Sequence, residues 1–277
     1  MGSRNLSIEV KPFLRWAGGK SWFYKLLDSN LLPNFDNYHE PFLGGGAIFF
    51  KMGVNHNSFL SDLNEELITT YTEIKDNVFE IIEILKTYEN NKDFYYKIRS
   101  FVPITSSEKA ARFIFLNQTS FNGIYRVNLR GTYNVPFGFR NKNFLNEELL
   151  ISASYSLKNA NLFVGDFANI KNNLNSNDFV FLDPPYTVSH NDNGFIKYNE
   201  KIFSLEDQYR LDDLIKYIKD IGAYYILTNA AHKKIQEIFS NGDNLMEVTR
   251  ASLIGGNSAF RGKTSEYVYS NIILKNV

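Results

Sequence analysis

The residues best suited to chemistry in this sequence are Asp183, Pro184, Pro185 and Tyr186, which directly follow the apolar run 179–182. Ligands of open α/β sheets bind beyond the carboxyl ends of strands, where this tetrapeptide would lie. The Asp183 carboxylate and the Pro184 carbonyl could each accept a proton of a conjugated amino group and direct its lone pair at an electrophilic carbon. The prolines stiffen this backbone, and Tyr186 offers a stacking face for an extruded base. The competing interpretation is an ordinary turn, because Pro-Pro ends a strand in any protein.

A glycine-rich turn between a strand and a helix is the second candidate site. It comprises Glu40, Pro41, Phe42, Leu43, Gly44, Gly45 and Gly46. Glycines let the backbone approach a bound nucleotide or nucleoside closely. The segment matches neither GxGxxG nor the phosphate-binding GxxxxGKS/T pattern, which disfavours NAD and ATP. Asp62 ends the next strand candidate, where an acid can accept hydrogen bonds from ribose hydroxyls. The alternative for Asp62 is capping of a helix that begins near Leu63.

The third group of candidates, Trp16, Ala17, Gly18, Gly19 and Lys20, precedes the first strand. Lys20 and exposed glycine amides could hold a carboxylate such as that of a methionine moiety. Taken without the other motifs, this stretch would indicate only a loop.

Charge is distributed unevenly along a chain whose formal net charge is zero. Residues 97–142 contain eight Lys and Arg but a single acid, Glu108. A basic block within a neutral protein is typical of a face that contacts a polyanion. A solvated basic surface is the alternative.

The apolar pattern predicts strands that alternate with helices near both ends of the chain, and hence a mostly parallel sheet. Residues 65–87 carry a helical apolar stripe, which we interpret as core. Residues 90–155 are helical, basic and aromatic, with a β-hairpin near 124–136. We therefore predict an α/β, Rossmann-like catalytic domain formed by 1–64 and 156–277, interrupted by a recognition insertion at 65–155.

Composition excludes several other classes of site. The 277 residues include no cysteine, which rules out disulfides, thiolate zinc sites and cysteine nucleophiles. Four histidines show no ligand spacing, so we expect no metal. The opening MGSRNLSIEV lacks the apolar region of a signal peptide, and no run is long enough to span a membrane. We expect a cytoplasmic protein of bacterial or phage type.

Six motifs in order, RWAGGK, EPFLGGG, SDLNEEL, FNGIYRVNLRGTYNVPFG, GDF and FLDPPY, resemble the Dam-like family of DNA adenine-N6 methyltransferases across nearly the whole chain. The resemblance implies a Rossmann-like fold that binds S-adenosylmethionine, with Asp183, Pro184, Pro185 and Tyr186 in the catalytic motif. It implies cofactor binding by Trp16, Ala17, Gly18, Gly19, Lys20, Glu40, Pro41, Phe42, Gly44, Gly45, Gly46, Asp62, Leu63, Asp166, Phe167 and Asp183. Asp166 would lie beside the adenine of the cofactor.

The same resemblance assigns the insertion to DNA. The implied contacts are Phe121, Asn122, Arg126, Asn128, Arg130, Arg140, Arg261 and Lys263. Phe121 departs from the family, whose members usually have tyrosine there, so the stacking face remains and the hydroxyl is lost. Arg126 can bond to guanine O6 and N7, whereas Arg130 and Arg140 would contact phosphates. Surface solvation is the alternative for each arginine, and a structural turn for 261–266.

The expected reaction is methylation of adenine N6 by direct displacement, after the target base has flipped out of double-stranded DNA. We expect the site to be GATC, residues 187–204 to close over the flipped base, and a companion restriction endonuclease to be a possible partner. Two alternatives stay open. One is an amino-methyltransferase for cytosine N4, RNA adenine or protein glutamine, and the other is a DNA-binding module without catalytic activity.

Overall fold

The structure, a computed structural model, describes residues 10–23, 27, 32–128, 131–139, 143–186, 203–240, 242–251 and 263–274. The chain divides into two compact units. The first comprises Met1–Ser21 and Leu43–Asp166, and the second comprises Trp22–Phe42 and Phe167–Val277. The domains predicted from the sequence were divided by function, and that functional division stays a prediction.

Seven strands and six longer helices are found within the described residues. The strands are β1 (Asn37–Glu40), β2 (Asn57–Asp62), β3 (Ala160–Val164), β4 (Phe179–Leu182), β5 (Tyr224–Ala230), β6 (Asn244–Ala251) and β7 (Lys263–Ser270). The helices are α1 (Glu65–Lys86), α2 (Lys92–Ser100), α3 (Ser106–Thr119), α4 (Glu147–Leu157), α5 (Leu205–Asp220) and α6 (Lys233–Phe239). The mixed α/β fold predicted from the sequence is confirmed.

Helix α1 organises the core of the first unit. Every member of the apolar stripe predicted from the sequence is buried: Leu67, Ile68, Tyr71, Ile74, Val78, Ile81, Ile82 and Leu85. The helix packs against α3 and α4 and lies beside β3, which pairs in parallel with β2. Asn64 caps the helix, because its Oδ1 accepts a hydrogen bond of 3.1 Å from the Leu67 amide.

Residues 120–128 and 131–137 pair as an antiparallel hairpin with few ladder bonds. Isolated bridges join Ser120 to Phe137 and Val127 to Tyr133. At the turn, the Asn128 amide donates to the Thr132 carbonyl at 2.9 Å. Lower down, the Tyr95 hydroxyl from α2 donates to the Val135 carbonyl at 2.9 Å. Side chains of the neighbouring helices therefore hold much of this hairpin in place.

The second unit is built on five strands in the order β1–β4–β5–β7–β6. Strands β1, β4 and β5 are parallel, while β7 runs antiparallel to both β5 and β6. Helices α5 and α6 contribute Leu211, Leu214, Ile215, Ile218, Ile235 and Ile238 to the same core as these strands. A strand buried in this way reads as a continuous apolar run, which is why β4 and β5 were evident from the sequence.

Two features near the carboxyl end differ from the prediction. The last strand, predicted over 267–274, occupies Lys263–Ser270, because the Asn271 side chain replaces the ladder by bonding to the Tyr225 amide and the Ala223 carbonyl. Strand β6 was missed, because the described side chains of this outer strand are exposed or only partly buried, so that the strand carries little apolar signal. No helix within the described residues is long and apolar enough to cross a membrane.

Candidate active site and nucleic-acid interface

The catalytic motif predicted from the sequence lies immediately after β4 in the second unit. Asp183 is partly exposed, and its Oδ1 accepts a hydrogen bond of 2.8 Å from the Thr228 hydroxyl on β5. Pro184 is buried, whereas Pro185 and Tyr186 are partly exposed. The parallel register pairs Leu182 with Leu227 and so sets Asp183 beside Thr228. The carboxylate is therefore held at the strand end, the position at which open α/β sheets bind ligands.

Glu40 ends β1 in the same unit and is buried. Its Oε2 accepts a hydrogen bond of 2.7 Å from the Tyr38 hydroxyl. Burial first, and then the adjacent Glu40 charge, raise the pKa of Tyr38 well above its usual value. The hydroxyl therefore stays protonated and keeps its role as donor to Glu40 throughout the physiological pH range.

Phe42 and Phe167, both predicted to bind the cofactor, contact each other. Their ring centroids are 5.3 Å apart, and each ring also lies 5.6 Å from Phe203. The Arg210 guanidinium covers the Phe167 ring at 4.9 Å, which leaves this residue 3% exposed. The Phe167 ring thus packs into the core of the second unit, and its contact with the cofactor stays a prediction.

The glycine turn of the first unit is shaped by two large aromatic residues. Gly44 has φ +47°, and a Cβ there would lie 2.7 Å from Trp16 Cδ1. Gly46 has φ +65°, and a Cβ there would meet the Tyr71 hydroxyl at 2.9 Å. The Tyr71 hydroxyl also donates to the Gly44 carbonyl at 3.2 Å. These glycines are therefore required by packing within the protein, whatever ligand approaches the turn.

Asp62 at the end of β2 fastens this turn. Its carboxylate accepts hydrogen bonds of 3.0 Å from both the Gly44 amide and the Asn64 amide. Burial raises the pKa of Asp62, against the opposing effect of amide hydrogen bonds from Asn64, Gly44 and Leu63. The alternative role as a helix cap is wrong, because Asn64 caps α1.

In the first unit, the neighbouring ends of β2 and β3 bring together two acidic residues that are predicted to bind the cofactor. The Gly165 amide donates to the Asp62 carbonyl at 3.1 Å, and Asp166 is the next residue. Leu63, beside Asp62, is 61% exposed. Carboxylates next to an exposed apolar side chain suit a nucleoside, whose hydroxyls need acceptors and whose base needs an apolar contact.

The segment 16–20 forms a turn with a buried ammonium group. Ala17, Gly18 and Gly19 are exposed, whereas Lys20 is only 3% exposed. Its Nζ donates to the Gly18 carbonyl at 3.1 Å, and Gly18 has φ +77°, which favours glycine. A buried ammonium beside exposed glycine amides is suited to bind a carboxylate.

The turn that is predicted to read DNA contacts the side chains of Arg15 and Trp16. Phe121 is 50% exposed, and Asn122 is exposed with φ 57°. Arg15 Nη2 donates to the Asn122 carbonyl at 2.6 Å. The Trp16 ring stacks on the Tyr125 ring with centroids 5.6 Å apart. Tyr125 was not singled out from the sequence, since a tyrosine in an aromatic-rich segment gives no distinguishing signal.

The remaining predicted DNA contacts have different local roles. Arg126 is exposed, and its Nε donates to Asn134 Oδ1 at 2.8 Å across the hairpin. Asn128 Oδ1 accepts from the Thr132 amide at 3.0 Å, so this side chain stabilises the hairpin turn. Lys263 begins β7 and pairs with Ala251. The predicted contacts Arg130, Arg140 and Arg261 lie outside the described residues, as do residues 187–202 of the segment 187–204 that was predicted to close over the flipped base.

Comparisons with known proteins identify the family to which the chain is similar. A family model described as D12 class N6 adenine-specific DNA methyltransferase matches residues 16–253. The chain is 33% identical to Type II methyltransferase M1.LlaDCHI of Lactococcus lactis subsp. cremoris, over 95% of this chain and 96% of the relative. It is 33% identical to Type II methyltransferase M.MjaIII of Methanocaldococcus jannaschii, over 89% and 93%. It is 32% identical to the DNA adenine methylase of Haemophilus influenzae, over 94% and 93%.

Proposed function

Because the chain belongs to the D12 class N6 adenine-specific DNA methyltransferases, we propose that it transfers a methyl group from S-adenosylmethionine to N6 of adenine at a specific site in double-stranded DNA. The observation that carries the proposal is the Asp183 carboxylate, fixed by Thr228 at the end of β4 and followed by the stiff Pro184-Pro185 backbone. Acceptors fixed in advance are what a conjugated amino group needs to react as a nucleophile.

Asp183 and Pro184 supply the acceptors in this mechanism. The adenine N6 lone pair is delocalised into the ring, which makes the amino group a poor nucleophile. One amino proton is accepted by the Asp183 carboxylate and the other by the Pro184 carbonyl, which directs the lone pair out of conjugation. The nitrogen–carbon bond would form as the bond between the methyl carbon and the sulfonium sulfur breaks, with S-adenosylhomocysteine as the leaving group. N6 would then be transiently cationic and lose one proton to the carboxylate or to solvent. No covalent enzyme intermediate is required.

The first unit has side chains that fit S-adenosylmethionine. When bound, the cofactor supplies a methyl group made electrophilic by a sulfonium. Asp62 and Asp166 would accept hydrogen bonds from ribose and adenine groups, and the exposed Leu63 would contact the base. Lys20 and the amides of Gly18 and Gly19 would hold the methionine carboxylate. This assignment follows from the chemistry of each group in its observed surroundings.

DNA binding is assigned to the hairpin and the turn before it. Arg126 is exposed, and its Nε and Nη2 both donate to Asn134. The remaining N–H groups of Nη1 and Nη2 can bond bidentately to guanine. The half-exposed Phe121 ring is suited to stack on bases, and Tyr186 to stack on a flipped adenine. GATC is the site we propose, on the strength of the motif resemblance.

The proposal is tested by identifying the methylated base. Purified protein is incubated with S-adenosylmethionine and unmethylated plasmid, and the DNA is digested to nucleosides for mass spectrometry. We expect N6-methyladenine with the wild type, and none with Asp183→Ala, whose DNA binding should persist. N4-methylcytosine as the product, or undiminished turnover by Asp183→Ala, would overturn the proposal.

A further inference from the structure

A buried hydroxyl on the neighbouring strand holds the side chain on which the proposed reaction depends. Thr228 is completely buried, and its Oγ1 lies 2.8 Å from Asp183 Oδ1 and 3.5 Å from the Leu182 carbonyl oxygen. An ionised carboxylate can only accept, so the hydroxyl is the donor. Because a threonine hydroxyl has one hydrogen and the carboxylate is the nearer acceptor, this bond is directed to Asp183.

The donor itself has little freedom to move. Thr228 lies in β5, which is paired on one side with β4 and on the other with β7. The next residue, Asn229, is also completely buried, and its side-chain amide donates to Gln208 on α5 at 2.9 Å. A β-branched side chain in such a strand is confined to few rotamers. The position of Oγ1 is therefore fixed by the sheet.

We propose that Thr228 is a positioning residue, which holds the Asp183 carboxylate in the orientation that accepts the amino proton of the target adenine. The inference rests on the proposed function, because it assumes that Asp183 bonds to the amino group. With Oδ1 held by Thr228, rotation about the last side-chain bond of Asp183 is restricted, and the remaining acceptor directions of the carboxylate are fixed in advance. Misplacement of a reacting group by about 1 Å can lower a rate by about 10²-fold.

Substitution by valine or serine separates positioning from packing. Thr228→Val keeps the branched shape and removes the donor, while Thr228→Ser keeps the donor and removes a methyl group. We expect the kcat of Thr228→Val to fall by about 10- to 100-fold, with Thr228→Ser recovering most of it. The KM for DNA should change by less than about twofold, because the proposed DNA contacts of the hairpin do not depend on the Asp183 rotamer.

The pH dependence of kcat distinguishes positioning from a purely structural role, which would leave the profile unchanged. A hydrogen bond donated to a carboxylate favours its charged form. Loss of that donor should therefore shift the acidic limb of kcat to higher pH in Thr228→Val but not in Thr228→Ser. Thr70→Val is a matched control, because Thr70 is a buried threonine whose hydroxyl donates only within its own helix, to the Glu66 carbonyl at 2.7 Å. Its kcat profile should match that of the wild type.

Failure of the inference can be told apart from failure of the proposed function. If the wild type forms no N6-methyladenine, the function is wrong whatever the variants do. If the wild type does form it while Thr228→Val has the wild-type kcat and pH profile, positioning by Thr228 is wrong. Should Thr228→Val fail to fold, Thr228→Ala is compared with Thr228→Ser, which differ only by the hydroxyl. Equal kcat in that pair would likewise overturn the inference.

Discussion

At the scale of single residues, Gly44 meets two separate constraints. Its φ of +47° lies in the left-handed region, and Trp16 occupies the space where a Cβ would project. Gly242 has a similar φ of +79° but open space around the same position. The two glycines therefore separate the cost of backbone strain from the cost of steric overlap.

We expect Gly44→Ala to lower the free energy of unfolding by about 2–5 kcal/mol, because strain and overlap add. Gly242→Ala should cost only about 1–2 kcal/mol, the strain alone. Chemical denaturation monitored by circular dichroism measures both. Equal losses in the two variants would show that Trp16 moves aside without cost.

The catalytic motif could be predicted from the sequence, but the residue that holds its carboxylate by a hydrogen bond could not. Asp183 stands out because an acid followed by two prolines and a tyrosine ends an apolar run. Thr228 lies 45 residues further along the chain in an unremarkable apolar strand, and only the β4–β5 register brings it to the carboxylate. Similarly, Phe167 carries a motif signal although its ring is packed into the core.

At the scale of elements, the predicted cofactor loop and the predicted DNA-reading turn are joined within the first unit. Arg15 donates to the Asn122 carbonyl, and Trp16 stacks on Tyr125. Tyr125 also stacks on Phe113 of α3 at 5.1 Å, and its hydroxyl donates to Glu66 of α1 at 2.8 Å. A ligand that orders one segment should therefore help to order the other.

Given the proposed assignments, DNA should raise the affinity for S-adenosylhomocysteine, and the cofactor should raise the affinity for DNA by the same factor. We expect Tyr125→Ala to reduce that factor by about threefold to tenfold, since an aromatic pair contributes about 0.5–1.5 kcal/mol. Tyr125→Phe, which keeps the ring, serves as control. Titration calorimetry with and without a DNA duplex measures the factor, and an unchanged value in Tyr125→Ala would refute the coupling.

A second link between elements is the buried pair of His39, which lies in β1, and Asp178, which directly precedes β4. His39 Nε2 lies 3.0 Å from Asp178 Oδ2, and both side chains are completely buried. The Asn37 side chain donates to Asp178 Oδ1 at 2.8 Å. Burial acts to raise the pKa of Asp178, but hydrogen bonds from His39, the Asn175 amide and Asn37 outweigh it and leave this pKa below the usual value.

The sign of this shift predicts how stability depends on pH. An aspartate whose pKa is lowered by folding stabilises the protein fully above the unfolded value of about 3.9. That contribution is lost as the pH falls through the lower, folded value. The stability advantage of the wild type over Asp178→Asn, measured by denaturant unfolding, should therefore be constant near neutral pH and shrink below about pH 4. An advantage that grows on acidification would contradict the assignment.

Elements with strong periodicity were predicted well, and weakly patterned ones were not. The stripe of α1 is buried in full because its apolar residues repeat at helical spacing. Strand β6 escaped prediction, and β7 ends before 271 because the Asn271 side chain takes over backbone bonding. Tertiary hydrogen bonds of that kind cannot be predicted from the local sequence pattern.

At the scale of the whole molecule, two arginines of the basic block 97–142 are less available to DNA than the charge count indicates. The Arg112 guanidinium donates to the Ile98 and Arg99 carbonyls at 3.1 and 2.8 Å, and Arg99 donates to the Val135 carbonyl at 3.2 Å. These arginines fasten the helices and the hairpin together. Lys97, Lys109 and Arg126 are the exposed cations among the described members of the block, and we expect these three to meet a phosphate or base.

The most direct test of the central claim is methylation-sensitive sequencing of unmethylated plasmid treated with S-adenosylmethionine and either the wild type or Asp183→Ala. We expect N6-methyladenine at one short motif, GATC, after treatment with the wild type, and at no site with Asp183→Ala. Methylation at another single motif would support the proposed reaction but show that the recognition site is not GATC. Absence of N6-methyladenine with a wild type that binds the cofactor and DNA would contradict the account.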